Sequence, residues 1–329
     1  MKPWSFRKKF VVGLVLVLLV VFGYRSFKDY KEDEANRLSQ NEILHLEING
    51  VILNGKKFLK NLKKHVKEDT VKAVVVEINS PGGAVGPSQE LYYEILRAKE
   101  ETKKPFICVT TGLMASGGYY AALACDKIVV APGAMVGSVG VIMEFANLEK
   151  LYDWAKIQRY TITSGKFKES GTDTRAMRDD EKQLFQEMIN EVYDQFRSTV
   201  AKARNLTLDQ VSLYADGRVM TGSKAVEVKF ADVLGTFEDA VQMAARVAKL
   251  KPDDYKLFKP RREKLDFFDL LTYNEEEDDD LNSLEGLKEG LVSKFKAPTS
   301  QQIAADLVKN VLRTKYMNQP LYLMPGFWE

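Results

Sequence analysis

Apolar runs alternate with amphipathic stretches along the first half of the chain. Three runs rich in β-branched residues predict buried strands, and two stretches with apolar residues at helical spacing predict helices. In chain order these elements are Val71 to Ile78, Ser88 to Glu101, Phe106 to Thr110, Ala115 to Ala124 and Lys127 to Val130. Strands that alternate with helices predict an α/β fold whose parallel strands are joined by right-handed crossovers.

The same pattern extends on both sides of this segment. Glu42 to Ile48 alternates as a strand does, with the turn Asn49-Gly50 after it. Helices are predicted at Lys57 to Lys67, Asp179 to Arg204 and Phe237 to Leu250. Two connections rich in small residues, at Gly82 and Ser116, follow predicted strands. Ligands bind at that end of the strands in open α/β sheets, so both connections are candidate site segments.

An apolar run near the N-terminus is a candidate membrane-spanning segment. Phe10 to Tyr24 has no charged residue, and its helix would span about 22 Å against a hydrocarbon core of about 30 Å. Flanking aromatic and basic residues can extend it. A cleaved signal peptide is the alternative, but no Ala-x-Ala follows the run. We therefore expect one uncleaved transmembrane helix within residues 1–27, in the cytoplasmic (inner) membrane. The basic residues before it predict a cytoplasmic N-terminus and an extracytoplasmic remainder.

Composition narrows the possible functions. The net charge of +2 gives no reason to expect nucleic-acid binding. Two cysteines, Cys108 and Cys125, make no disulfide framework. Since both lie in apolar or small-residue runs, we expect two buried free thiols. The alternative is a disulfide in an oxidising compartment, which has no positive support in the sequence. The acidic run Asn274 to Asp280 lacks the turn residues of a calcium loop, so it predicts a linker and no metal site.

One serine and one segment with two lysines are the candidate catalytic groups. Ser116 lies between small residues in Met114-Ala115-Ser116-Gly117-Gly118, but its hydroxyl needs a base to become nucleophilic. Neither histidine, His45 or His65, has a context that suggests catalysis. A lysine can take the role when burial lowers its pKa. The segment Ser164-Gly165-Lys166-Phe167-Lys168 offers two lysines, and spacing alone would put both on one face. Such a pair needs no metal or organic cofactor.

Five runs, in this order along the chain, carry a family resemblance. They are Ile78-Asn79-Ser80-Pro81-Gly82-Gly83, Ala115-Ser116-Gly117-Gly118-Tyr119-Tyr120, Gly133-Ala134-Met135-Val136-Gly137-Ser138-Val139-Gly140-Val141, the lysine segment, and Asp216-Gly217-Arg218-Val219-Met220-Thr221-Gly222. Together they resemble the signal peptide peptidase A (protease IV) family, of the short single-module type, in the Clp-protease/crotonase superfamily. The resemblance covers roughly Ile43 to Leu250. It implies a parallel β-sheet core with flanking helices.

The resemblance also assigns roles to residues. It implies Ser116 as the nucleophile and Lys168, rather than Lys166, as the base. The Pro-Gly-Gly loop would form the oxyanion hole, with the Gly83 amide as the best single candidate. The remaining candidates are Gly82 and Gly117 for the oxyanion hole, and Ser138, Asn79 and Ser80 as supporting residues.

The implied function is a membrane-anchored serine endopeptidase. It would degrade cleaved, remnant signal peptides and other apolar peptides on the extracytoplasmic side. Short members assemble as ring-shaped homo-oligomers, in which serine and lysine can meet across a subunit boundary. Two alternatives stay open. An acyl-CoA enzyme of the crotonase fold would not need Ser116 or Lys168, and an inactive membrane scaffold would be expected to lack them.

The sequence divides into four segments on this basis. After the anchor we expect a linker at 28–41, a catalytic α/β domain at 42–250, and a C-terminal extension at 251–329. The extension ends with the apolar strip Leu321-Tyr322-Leu323-Met324. A protease that prefers apolar extended peptides would bind such a strip, so we expect it at or near a catalytic cleft, its own or a neighbour's, where it can be trimmed. The alternative is an edge segment packed on the core or at a subunit interface.

Overall fold

The structure is a computed structural model that describes residues 23–24, 41–252 and 254–260, together with the backbone of 321–323. The described residues fall into two compact units. The first comprises 41–142, 190–260 and 321–323, and the second comprises 143–189. The predicted anchor, except residues 23–24, most of the linker and the acidic run lie outside the described residues. Within the part of the chain that is described, no helix is long and apolar enough to cross a membrane.

The strands of the first unit are β1 (Asn41–Ile52), β2 (Val71–Ala84), β3 (Phe106–Thr110), β4 (Leu113–Ala115), β5 (Lys127–Val130), β6 (Met135–Gly137), β7 (Val219–Thr221), β8 (Val233–Leu234), β9 (Tyr255–Phe258) and β10 (Leu321–Leu323). Its helices are α1 (Lys56–His65), α2 (Val85–Thr102), α3 (Gly117–Ala122), α6 (Leu208–Ser212), α7 (Gly222–Glu227) and α8 (Phe237–Val247). The second unit contains α4 (Glu149–Ala155), and the division between the units falls within α5 (Asp179–Arg204).

The described strands form one mixed sheet, with β2 at its centre. The strand order is β7-β6-β4-β2-β3-β5-β8. Outside this order, β1 pairs with both β2 and β9. All pairs are parallel except β6 with β7 and β10 with β2. The α/β fold is therefore confirmed, and two antiparallel pairs are added to the parallel core.

Both faces of β2 are buried. Val75 packs with residues of α8, whereas Val74 and Val76 belong to the core on the opposite face, with α1, α2 and α3. Alternate side chains of a strand point to opposite faces, so burial on both sides requires the continuous β-branched run that the sequence shows. Helices therefore cover the first half of β2 on both faces.

The structure differs from the sequence at the Gly-rich connection after Ile78. A loop was predicted at Ser80-Pro81-Gly82-Gly83, but β2 continues through it to Ala84. β1 also continues through the predicted turn, to Ile52. A register shift after Asn49 lets the two strands pair again, with Ile52 opposite Gly83. Bulges of this kind bend a strand without ending it, and no local pattern distinguishes them from a turn.

The helix predicted at Ala115 to Ala124 is shorter in the structure. Residues up to Ala115 form β4, which pairs with β6, and α3 begins at Gly117. Ser116 is the single residue between the strand and the helix. The tertiary pairing with β6 therefore decides where the helix starts.

The expectation of two free thiols was wrong. Cys108 and Cys125 form a disulfide, and their Cα atoms lie 5.8 Å apart. After α3 the chain returns beside β3, where the Asp126 amide donates a 2.8 Å hydrogen bond to the Phe106 carbonyl. This return brings the two cysteines within the range that a disulfide spans. The disulfide links β3 to the turn that follows α3.

Candidate active site

Ser116 lies in a strained turn between β4 and α3. Its backbone has φ 49° and ψ −116°, a conformation that is rare for a residue with a side chain. The Ser116 amide donates to the Gly137 carbonyl at 2.7 Å, and the Ser116 carbonyl accepts from the Tyr120 amide at 2.8 Å. Serine nucleophiles of hydrolases occupy sharp, strained strand-to-helix turns of this kind, because the turn presents the hydroxyl at the end of the sheet.

The Ser116 hydroxyl is buried and has no hydrogen-bond partner among the described residues. A buried hydroxyl without a partner costs about 1–3 kcal/mol, so structures retain one where function requires it. Strain and an unpaired hydroxyl occur together at this residue. Both are properties of a group held ready for an incoming ligand.

The predicted oxyanion glycines lie beside this serine. A Cβ atom at Gly117 would lie 3.2 Å from the Gly83 amide nitrogen and 2.3 Å from the Ser88 hydroxyl oxygen. No side chain fits there, so the start of α3 packs directly against Ser88 and the end of β2. Ser88, which the sequence analysis missed, is fully buried and donates to the Ala84 carbonyl at 2.8 Å.

Ser80 and Asn79 point away from each other. Ser80 is fully buried, and its hydroxyl donates to the Gly50 carbonyl at 2.6 Å and accepts from the Gly82 amide at 3.1 Å. Asn79 is exposed, and its side-chain oxygen lies 3.3 Å from where a Cβ on Gly112 would lie. Adjacent residues of a strand face opposite sides of the sheet. The structure therefore brings Ser80, but not Asn79, to the buried face that carries Ser116.

Ser138 directly follows Gly137, whose carbonyl accepts the Ser116 amide. It is almost fully buried, has φ 52°, and donates its amide to the Arg218 carbonyl at 2.8 Å. The Gly217 amide bonds the Val139 carbonyl at 3.0 Å. The run Gly133 to Val141 and the run Asp216 to Gly222 are thus hydrogen-bonded to each other. A contact between Ser138 and a lysine stays a prediction.

The two candidate lysines lie in the second unit and differ in their partners. Lys166 forms an ion pair with Asp180 at 2.9 Å, and its carbonyl accepts a 3.2 Å hydrogen bond from Arg178. Lys168 is exposed and has no ion pair within the described part of the chain. Lys166 is therefore engaged at the start of α5, while the Lys168 amine is available. Since Ser116 belongs to the first unit, its pairing with Lys168 stays a prediction.

Glu181 is a buried charge that the sequence analysis also missed. Both its oxygens accept from the Arg175 guanidinium, at 2.8 and 2.9 Å, and the Arg178 amide donates at 2.9 Å. The hydrogen bonds from Arg175 lower the pKa of the Glu181 carboxyl to about 2. The pair fixes the chain after the lysine segment against the first turn of α5. The sequence signal for this ion pair was the closeness of Arg175 and Arg178 to Glu181, which lies in the first turn of α5.

The chain is similar to known peptidases. The profile of Peptidase family S49 matches residues 98–251. A Synechocystis sp. protein named as a protease, slr0021, is 39% identical over 221 residues, which are 67% of this chain and 79% of that protein. The chain belongs to peptidase family S49. This confirms the family resemblance inferred from the five sequence runs.

Longer S49 relatives are similar over part of their length. The chloroplastic serine protease SPPA of Arabidopsis thaliana is 33% identical over 54% of this chain and 26% of its own. Protease 4 of Salmonella typhi is 33% identical over 55% of this chain and 29% of its own. Among solved structures, a mutant of ClpP1 from Listeria monocytogenes is 17% identical, with a TM-score of 0.41, over 60% of this chain and 94% of that one.

The S49 match contains Ser116, Gly117, Ser138 and Lys168, and it begins after Gly82 and Gly83. The matched segment therefore carries the candidate nucleophile and base, and β2 supplies the candidate oxyanion strand from outside the match.

One cluster of described residues in this S49 chain has metal-ligand chemistry. His45, Glu47 and Glu77 offer ligand atoms that all lie within 4.8 Å of one another. His45 Nε2 lies 2.9 Å from a Glu77 oxygen, and Lys259 Nζ lies 2.8 Å from a Glu47 oxygen. Burial lowers the pKa of His45. Each carboxylate thus has a nitrogen partner already, and a metal ion would have to displace Lys259.

Proposed function

We propose that this S49 chain is a serine endopeptidase in which Ser116 is the nucleophile and Lys168 is the base. The observation that carries the proposal is the strained, buried Ser116, whose hydroxyl has no partner among the described residues. The absence of an ion pair at Lys168, within that same part of the chain, supports this lysine over Lys166.

The chemistry follows from these roles. The Ser116 oxygen attacks the peptide carbonyl while its proton passes to the neutral Lys168 amine. The resulting ammonium then gives the proton to the leaving amine, and the acyl-enzyme forms. Water, deprotonated by the same lysine, attacks the ester and releases the second product. No metal or organic cofactor takes part in these steps.

The oxyanion of the tetrahedral intermediate needs donors close to Ser116. We assign the Gly83 amide this role, with Gly82 and Gly117 completing the surroundings. The proximity of the Gly83 nitrogen to the start of α3 supports the assignment. Fixed backbone donors stabilise developing charge without reorganisation, and losing one typically costs about 10²–10³-fold in kcat.

The substrates we propose are apolar peptides, including cleaved signal peptides. An extended peptide binds by adding a strand to a sheet, which gives affinity through its backbone. The antiparallel pairing of β10 with Gly82 to Ala84 supports this mode, since a segment of three residues already occupies that position. A membrane anchor within residues 1–27 would hold the site on the extracytoplasmic side, where such peptides arise.

We further propose that a second copy covers the lysine segment, as in a ring-shaped homo-oligomer. Large apolar side chains of the second unit are exposed in the single chain, with Trp154 at 81%, Tyr160 at 83% and Ile162 at 99%. Lys168 is exposed too, yet a lysine base requires burial. One partner surface would satisfy both requirements. The serine and the lysine of one site can then come from different subunits.

The decisive experiment is hydrolysis of a fluorogenic apolar peptide by the full chain and by Ser116→Ala. We expect turnover by the former and none by the latter. An inactive scaffold, or an enzyme acting on acyl-CoA, would give no turnover with either protein. Activity that survives in Ser116→Ala would overturn the proposal.

A further inference from the structure

A buried hydroxyl bridges β2 and β1 where their pairing is interrupted. Opposite Gly50 the register of β1 and β2 is interrupted, since Asn49 pairs with Asn79 but Val51 pairs with Gly82. Ser80 and Pro81 lie in this interruption. Pro81 has no amide hydrogen, so β2 lacks a backbone donor at that position. The Gly50 carbonyl, opposite this interruption, takes its donor from a side chain instead.

Ser80 supplies that donor and also accepts a hydrogen bond. Its hydroxyl gives its hydrogen to the Gly50 carbonyl at 2.6 Å and receives the Gly82 amide at 3.1 Å. Gly82 has φ 102°, which residues with side chains rarely adopt. The Ser80 hydroxyl thus ties β2 to β1 at the bend, next to the backbone pairing of Val51 with Gly82 and of Ile52 with Gly83. The residue directly after the bend is Gly83.

Ser80 also touches the segment that carries the nucleophile. It pairs with Met114 of β4, and a Cβ atom at Gly118 would lie 3.1 Å from the Ser80 Cβ. It is fully buried. A displacement of Ser80 would therefore move the Gly83 amide relative to Ser116, because Ser80 contacts the elements that carry both.

We propose that Ser80 is a positioning residue that fixes the Gly83 amide where the oxyanion forms. This inference rests on the proposed function. In this role Ser80 does not touch the substrate, and its hydroxyl acts through Gly50 and Gly82. Oxyanion donors must be placed to within a few tenths of an ångström, so loss of the link should affect the transition state more than substrate binding.

The test compares Ser80→Ala and Ser80→Cys with the unaltered full chain. Cysteine fills the site as a small apolar residue with weak hydrogen bonding, so it removes the link without leaving a cavity. We expect kcat to fall by about 30–100-fold in both variants, with KM within about twofold, as misplaced catalytic groups cause. A peptide aldehyde, which forms a tetrahedral adduct with Ser116, should lose affinity by a similar factor. The same peptide ending in an alcohol should bind unchanged.

Thr207→Ala is the matched control. Thr207 likewise accepts a backbone amide with its side-chain oxygen, from Gln210 at 3.2 Å, at the start of α6. Its loss should lower the melting temperature and leave kcat and aldehyde affinity unchanged. Equal losses of aldehyde and alcohol affinity in the Ser80 variants, or an unchanged kcat, would overturn the positioning role. Turnover by Ser116→Ala would instead overturn the proposed function.

Discussion

Tyr322 lies opposite Gly83 in the antiparallel pair that β10 forms with β2. The glycine we assign to the oxyanion hole is therefore also the residue beside which the C-terminal strip is held. The sequence suggested that this strip lies at or near a catalytic cleft, and the pairing agrees with that expectation. It agrees equally with the alternative, an edge segment of the sheet, so the two need a kinetic test.

Truncation after Lys315 removes the paired strand. If the strip occupies the position of a substrate, KM for a short apolar peptide should fall, because the peptide no longer competes with a tethered segment at high local concentration. A self-cleavage product, if one forms, should vanish. Truncation after Met324 keeps β10 and should leave KM unchanged. A lower melting temperature with unaltered kinetics in the Lys315 truncation would make the strip structural.

The candidate dyad predicts two equal and non-additive losses. Ser116→Ala and Lys168→Ala should each lower peptide hydrolysis by about a thousandfold or more, and the double variant should lose no more, because the residues act as a unit. Unchanged circular dichroism and melting would show that the fold persists. Lys166→Ala removes the ion pair with Asp180 but not the base, so it should keep most activity. An inactive Lys166→Ala beside an active Lys168→Ala would reverse the assignment.

Sites shared between subunits can be revealed by mixing inactive proteins. If serine and lysine come from different copies, co-assembly of Ser116→Ala with Lys168→Ala should restore some peptidase activity. Trp154→Lys, which places a charge on the exposed apolar surface, should weaken assembly in sedimentation velocity and reduce activity with it. Absence of recovery in mixed assemblies, with subunit exchange demonstrated, would place both residues of a site in one chain.

The Cys108–Cys125 disulfide closes a loop with a sequence separation of 17 residues. In the chain-entropy account a loop of this size contributes about 3 kcal/mol to stability. Reductant should therefore lower the melting temperature of the unaltered chain. A variant with both cysteines replaced by alanine should melt lower and should not respond to reductant. Equal melting of the unaltered chain with and without reductant would mean that the disulfide does not form in solution.

Acid should destabilise the protein through Glu181. Its pKa is about 2 in the folded state, held down chiefly by hydrogen bonds from Arg175, against an ordinary value of 4.5. The stabilisation is thus complete above pH 4.5 and is lost as the pH falls from 4.5 toward 2. Glu181→Gln should flatten the pH dependence of unfolding in that window. Glu187→Gln, at an exposed position of the same helix, should leave the dependence unchanged.

The sequence determined the fold class and the family of this chain through short runs of adjacent residues. Ser116 and the glycines beside it, the order of the five runs and the β-branched residues of β2 are local features. They sufficed to predict the α/β class and the peptidase family, because a residue's own chain neighbours set its backbone options. They also led to the prediction that Ser116 is the nucleophile. The choice of Lys168 over Lys166 came from the family resemblance, and the different partners of the two lysines in the structure support it.

Tertiary structure decided whatever depends on residues far apart in the chain. The disulfide forms because the chain returns beside β3 after α3, and the buried Glu181 depends on how the preceding arginines fold back onto α5. The continuation of β2 through Pro81, the link from Ser80 to Gly50 and the pairing of Tyr322 with Gly83 depend on the register between strands. Register is set by the summed burial and hydrogen bonding of whole strands, which no single run of residues contains.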